Sequence, residues 1–249
     1  MLLDGRNAII YGAGGAVGGA IGKAFAAEGA RVHLTGRTLA TLDKVADEIR
    51  SAGGRAETAV VDAMDEAAVD AHADAVGTID ISVNVTATYD VQGTPMVEMS
   101  VDDYLAPVTL PVRSRFLTSR AAARHMIPRR SGVILFFGGD GDRSIHRKYR
   151  LGGLVTGFVA VEAMRRQLAG ELGQFGIRVV TLQSAGIAES LPADLPGRDE
   201  LAADLAEPAV LGRTATLADV GNVAVFAASD LAASMTGTQL NLTCGAFID

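Results

Sequence analysis

The stretch Asn7-Ala-Ile-Ile-Tyr11 running into Gly12-Ala-Gly14-Gly15-Ala-Val17-Gly18 decides the fold. Its apolar run is strand-length and stops at a glycine cluster, and small residues then continue in a helical pattern to about position 29. Strand, glycine turn and helix in that order make a phosphate cradle: glycines let the backbone come close, and the helix N-terminus offers free N–H groups. A tight β–α turn with no ligand is the plainer alternative. The spacing points to a dinucleotide pyrophosphate, contacted by Gly12, Gly14, Gly15, Val17 and Gly18.

The same alternation continues outward. Strands are expected at 31–35, up to Val60-Val61-Asp62, at 79–83, 132–137, 177–182 and 238–242. Helices are expected at 39–52, 66–76, 101–126 and 153–175. Continuously apolar strands covered by helices on both faces imply a parallel sheet. The chain therefore reads as one α/β domain, doubly wound, spanning residues 1–249, with no linker, repeat or low-complexity tract. The segment 186–208, with Pro192, Pro196, Gly197 and Pro208, has the strongest loop character and is expected to cover a substrate crevice.

Composition narrows the function classes. There are 22 Lys+Arg against 29 Asp+Glu, a net charge of −7, so no general basic surface exists to neutralise nucleic acid. The single cysteine, Cys244, suits a reducing compartment, and the four scattered histidines suggest no metal site. Asp4 and Arg6 stand where a signal peptide would be apolar, and no apolar stretch reaches membrane-spanning length. The expectation is a soluble cytoplasmic protein acting on a small molecule, with no membrane or nucleic-acid partner.

At the end of the second strand, an acid would accept from the ribose 2′-hydroxyl of NAD. No acid occurs from Arg31 through Leu42, and Arg37 stands there instead. A guanidinium suits a 2′-phosphate, so NADP(H) is the expected cofactor. A solvated surface arginine is the alternative.

With these residues the whole chain resembles a short-chain dehydrogenase/reductase, a family with the Rossmann fold. Its glycine loop TGxxxGxG is matched by Tyr11 to Gly18, with alanine at the middle glycine. The resemblance implies that Asp62 and Ala63 lie against the adenine. It also implies that Asn84, Val85 and Thr86, in place of the family's NNAG, pass the nicotinamide ribose, and that the Ile187 backbone meets the carboxamide. Glu189 or Ser190 falls where a threonine commonly touches the diphosphate. Gly212-Arg213, Thr236-Gly237 and Cys244-Gly245 follow the closing pattern, and the resemblance further implies a homotetramer or homodimer built from two long helices.

The family's catalytic set is a Tyr, a Lys four residues on, a Ser and an Asn. Alignment on flanking patterns puts Leu154, Phe158, Gly138-Gly139 and Pro111 at those positions, and none of the four tyrosines is followed four residues later by Lys. The enoyl-reductase arrangement, with Lys seven residues after Tyr, meets Thr156 when counted from Tyr149. Tyr149 follows Arg147 and Lys148, cations able to lower a phenol pKa, and is the candidate proton donor. Packing on the crevice wall is its alternative role. His146 and Ser144 are weaker candidates, and Asp140 and Asp142 read as turn residues. The leading expectation is an NADP(H)-dependent oxidoreductase with a non-standard active site, reducing a carbonyl or activated C=C. The alternatives are a catalytically silent NADP(H)-binding protein and a non-redox isomerase or lyase.

Overall fold

The computed structural model describes residues 1–87, 89–139 and 149–248. Seven strands form one sheet: β1 (Asn7–Tyr11), β2 (Arg31–Gly36), β3 (Arg55–Val60), β4 (Ile81–Asn84), β5 (Gly132–Gly138), β6 (Ile177–Gln183) and β7 (Thr238–Asn241). Their order is β3-β2-β1-β4-β5-β6-β7, and every neighbouring pair is parallel. Strand order across the sheet reverses between β1 and β4, which opens a crevice at the carboxyl ends of those strands.

Among the described residues there are seven α-helices: α1 (Ala16–Ala27), α2 (Leu39–Ser51), α3 (Glu66–Val76), α4 (Val101–Met126), α5 (Gly153–Leu172), α6 (Arg198–Ala206) and α7 (Leu217–Ala228). The strands are apolar on both faces because both faces are covered. In β1, Ala8 and Ile10 join one core with Ile21 and Phe25 of α1, Val45 of α2 and Ala224 of α7. Ile9 and Tyr11 point the other way, into a second core with Val69 of α3, Leu117 and Met126 of α4 and Val161 of α5. The alternation of Cβ direction along one strand thus feeds two separate layers.

Two strand bounds differ from expectation by two residues, and the other bounds by no more than one. β3 stops at Val60, although the Val61 N–H still reaches the Gly36 carbonyl at 3.0 Å. β4 begins at Ile81: Asp80 turns its carboxylate to the Asn7 N–H at 2.8 Å and to Arg129, capping the sheet's amino edge. The segment 186–208 is not loop throughout, since Arg198–Ala206 is helical with no buried residue. Pro107 and Pro111 lie inside α4 without ending it, in a 26-residue helix. No helix among the described residues is long and apolar enough to cross a membrane.

Candidate active site

The glycine loop sits at the carboxyl end of β1. Gly12 has φ +89°, and a Cβ there would lie 2.9 Å from the Val85 carbonyl oxygen, so β1 and the segment after β4 meet only because this residue is glycine. Gly18 lies behind the loop: its Cβ would strike the Gly12 carbonyl oxygen at 2.3 Å. It shapes the cradle without lining either cavity described below. Gly15 caps α1 with no side-chain hydrogen bond, and no acid stands in the first turn. An uncapped helix N-terminus behind an open glycine turn fits a phosphate group.

Two cavities adjoin this loop. The first, about 390 Å³, is lined by Gly12, Gly14, Gly15, Arg37, Thr38, Thr41, Asp62, Ala63, Val85 and Thr86, among others. Arg37 is exposed and makes no ion pair or hydrogen bond among the described residues. Asp62 accepts from the Met64 N–H at 2.9 Å, which fixes the turn that carries Ala63. Tyr11 is buried beneath this cavity, and burial, with Asp70 adding to it, pushes its phenol far above the usual range, so it stays neutral.

The second cavity, about 500 Å³, shares Val85, Thr86 and Ala87 with the first and extends towards β5 and β6. Val17, Phe137, Tyr149, Leu151, Leu154, Phe158, Ser184, Gly186 and Phe247 line it, and Leu191, Leu201, Asp204, Leu205 and Pro208 wall the side formed by the 186–208 segment. Tyr149 is therefore brought to the cavity, where its own carbonyl oxygen accepts from the Gly93 N–H at 3.0 Å. Arg147, Lys148, His146, Ser144, Asp142 and Asp140 lie outside the described residues.

Several sequence candidates take internal work. Asn84 is 1% exposed; its Nδ2 donates to Thr118 at 3.1 Å, and its Oδ1 accepts from the Thr86 N–H and hydroxyl. It holds the Val85–Thr86 segment in place and lines neither cavity. Ile187 buries its side chain in the core, and its carbonyl oxygen accepts from the Ser190 hydroxyl at 2.7 Å. Glu189 turns away as well, accepting from the Leu217 N–H at the start of α7 at 2.7 Å. That acid serves a helix N-terminus.

The four family positions do converge. Pro111, Gly138, Gly139, Leu154 and Phe158 surround one void of about 20 Å³ that opens beside the larger cavity, together with Arg115, Val161 and Glu162. The Phe158 ring packs on Gly138 and Gly139. Sequence reasoning missed Arg115, Ser114 and Thr118, all buried on α4, because a charged or hydroxyl residue in a helical pattern reads as solvated.

Residues 12–246 match the family described as enoyl-(acyl carrier protein) reductase. The chain belongs to the short-chain dehydrogenase/reductase family. It is 30% identical over 98% of its length to galactitol 2-dehydrogenase (L-tagatose-forming) of Cereibacter sphaeroides, covering 95% of that protein. It is 27% identical to gluconate 5-dehydrogenase of Gluconobacter oxydans, with 98% and 95% of the two chains covered. A solved structure from Beutenbergia cavernae, described as an NAD(P)-dependent gluconate 5-dehydrogenase with bound NADP at low occupancy, superposes with TM-score 0.84 at 30% identity, covering 98% of this chain and 97% of that one. Short-chain dehydrogenase/reductases are oxidoreductases that use NAD(P) and act on small molecules.

Proposed function

We propose that the chain is an NADP(H)-dependent oxidoreductase that reduces a carbonyl or an activated C=C of a small, mostly apolar molecule, at an active site lacking the family's usual side chains. One observation carries this reading. A glycine-loop cavity with Arg37 on its wall, unpaired among the described residues, joins, through Val85–Thr86–Ala87, an apolar cavity that Tyr149 reaches. The bound NADP of the Beutenbergia cavernae relative supports the same cofactor here.

In this reading the Gly12–Val17 backbone and the α1 N-terminus hold the diphosphate, Arg37 takes the 2′-phosphate, and Asp62 and Ala63 flank the adenine. Val85, Thr86 and the Ile187 backbone bound the nicotinamide half, with Asn84 and Gly18 positioning the segments that do so. A dihydronicotinamide bound there would supply the hydride. The apolar walls orient the acceptor and exclude water, and the Tyr149 hydroxyl gives its proton to the carbonyl oxygen as negative charge develops there. The 186–208 segment, with α6 inside it, forms the substrate cover. The protein works in the cytoplasm as a homodimer or homotetramer through α4 and α5, whose exposed Leu105, Phe116 and Val159 suit a partner surface. Sedimentation equilibrium distinguishes these assemblies from a monomer.

The void among Pro111, Gly138, Leu154 and Phe158 favours a second reading, a silent NADP(H)-binding protein. Mixing the protein with NADPH and a panel of ketones, quinones and enones separates the two. A reductase oxidises NADPH, and Tyr149→Phe slows it by about a hundredfold, the low end for a lost acid catalyst. NADPH binding with no turnover on any panel member contradicts the reductase reading. Substrate conversion with an unchanged cofactor spectrum points to a non-redox enzyme.

A further inference from the structure

Arg115 is 6% exposed, one helical turn beyond Pro111 on α4, and it walls both the 500 Å³ cavity and the 20 Å³ void beneath it. Its Nη2 donates to the Phe137 carbonyl oxygen at 2.7 Å, whereas its buried Nε and Nη1 have no hydrogen-bond partner among the described residues. The carboxylate whose charge reaches it is Glu162 of α5, and that carboxylate is already occupied. Arg165 donates from Nε to one oxygen at 2.7 Å and the Thr181 hydroxyl donates to the other.

Of two buried guanidiniums, Arg165 is thus ion-paired with the buried Glu162 carboxylate, and Arg115 feels only its charge. Burial pushes the Arg115 pKa down to about 10, so the group still carries its charge at neutral pH. Among the described residues, the other ionisable groups on the cavity wall are Tyr149 and Asp204, and neither gives the two nitrogens a hydrogen bond. A buried charge with idle donors opposes folding, and its natural complement is an anion supplied from outside. Such groups in clefts mark ligand sites.

We propose that Arg115 is the anion-recognition residue of the apolar cavity, and that its ligand is a small molecule with an apolar body and one carboxylate group. The guanidinium replaces, from the next turn of α4, the polar groups that the void at Pro111, Leu154 and Phe158 lacks. This rests on the reading of that cavity as the substrate pocket, but binding is read here without turnover. Failure of hydride transfer would leave carboxylate recognition standing, and the converse also holds.

The test titrates the full chain with straight-chain carboxylates from butanoate to decanoate, with the matching alcohols and amines as controls, by calorimetry and thermal shift, with and without NADPH. The expected result is that carboxylates bind and raise Tm while alcohols and amines of equal length do not. Arg115→Met weakens the carboxylates by about 10- to 100-fold, the worth of a charge-assisted hydrogen bond, and leaves NADPH binding intact. Arg115→Lys, which keeps the charge, retains part of the affinity. Without ligand, Arg115→Met melts no lower than the parent, since an uncompensated buried charge has gone. Three results overturn the proposal: no preference for carboxylates over alcohols in the parent, unchanged carboxylate affinity in Arg115→Met, or a marked loss of Tm in that variant, which makes Arg115 a structural residue.

Discussion

His33 on β2 lies against the His72 ring of α3, edge to face at 6.4 Å, with Glu57 of β3 3.6 Å from its Nδ1. Burial lowers the pKa of both histidines; at His33, Glu57 opposes the shift and Arg31 adds to it, and at His72 the His33 charge adds to it. Groups that stay neutral when folded take up protons on unfolding once pH drops below the ordinary histidine value of about 6.5. Their contribution is therefore complete above that value and is lost as pH falls through it toward the folded-state pKa values. Melting measured between neutral pH and about pH 5.5 should show Tm falling across this window, and less steeply in a His33→Asn/His72→Asn variant; equal slopes would contradict the assignment. Elsewhere at this scale, the glycine loop and Arg37, read from local spacing, and Asp62, read from the family resemblance, all line one cavity. Arg115 was not legible: its burial comes from β5 and α5, and nothing adjacent in sequence announces it. Asn84 was found by pattern, yet its side chain serves the fold through Thr86 and Thr118.

Helices α4 and α5 meet at glycine. An added Cβ at Gly157 would lie 2.0 Å from the Pro107 carbonyl oxygen, and one at Gly153 1.9 Å from that of Tyr104. Pro111 has no N–H to give the Pro107 carbonyl, so the prolines that should break α4 instead leave a backbone oxygen facing α5 at close approach. Gly157→Ala forces these helices apart and should cost about 3 kcal/mol, or about 6 °C or more in Tm. Gly170→Ala on the same helix, where an added Cβ meets nothing within 4 Å, should melt at or slightly above the parent. Calorimetry on the pair checks this, and equal Tm values would contradict the packing account. Most elements were legible because glycines stand at many of the βα junctions. α6 was not, since it buries no residue and so carries no amphipathic stripe to read.

At the scale of the whole molecule, the order β3-β2-β1-β4-β5-β6-β7 places the reversal of strand order at β1 and β4, and the glycine loop and the Val85–Thr86 segment meet there. The parallel sheet, though not its strand order, followed from uninterrupted apolar strands. The division into a polar cavity with Arg37 and an apolar one with Tyr149 did not, because the second is closed by Leu191, Leu201 and Leu205 from a distant segment. The account's central claim is that this crevice holds NADP(H), and calorimetric titration of the purified protein with NADPH and with NADH tests it most directly. The account predicts NADPH binding at least about tenfold tighter than NADH, with Arg37→Asp erasing most of that difference. Equal losses for both cofactors in Arg37→Asp would refute the 2′-phosphate assignment, and no binding of either by the parent protein would contradict the oxidoreductase reading itself.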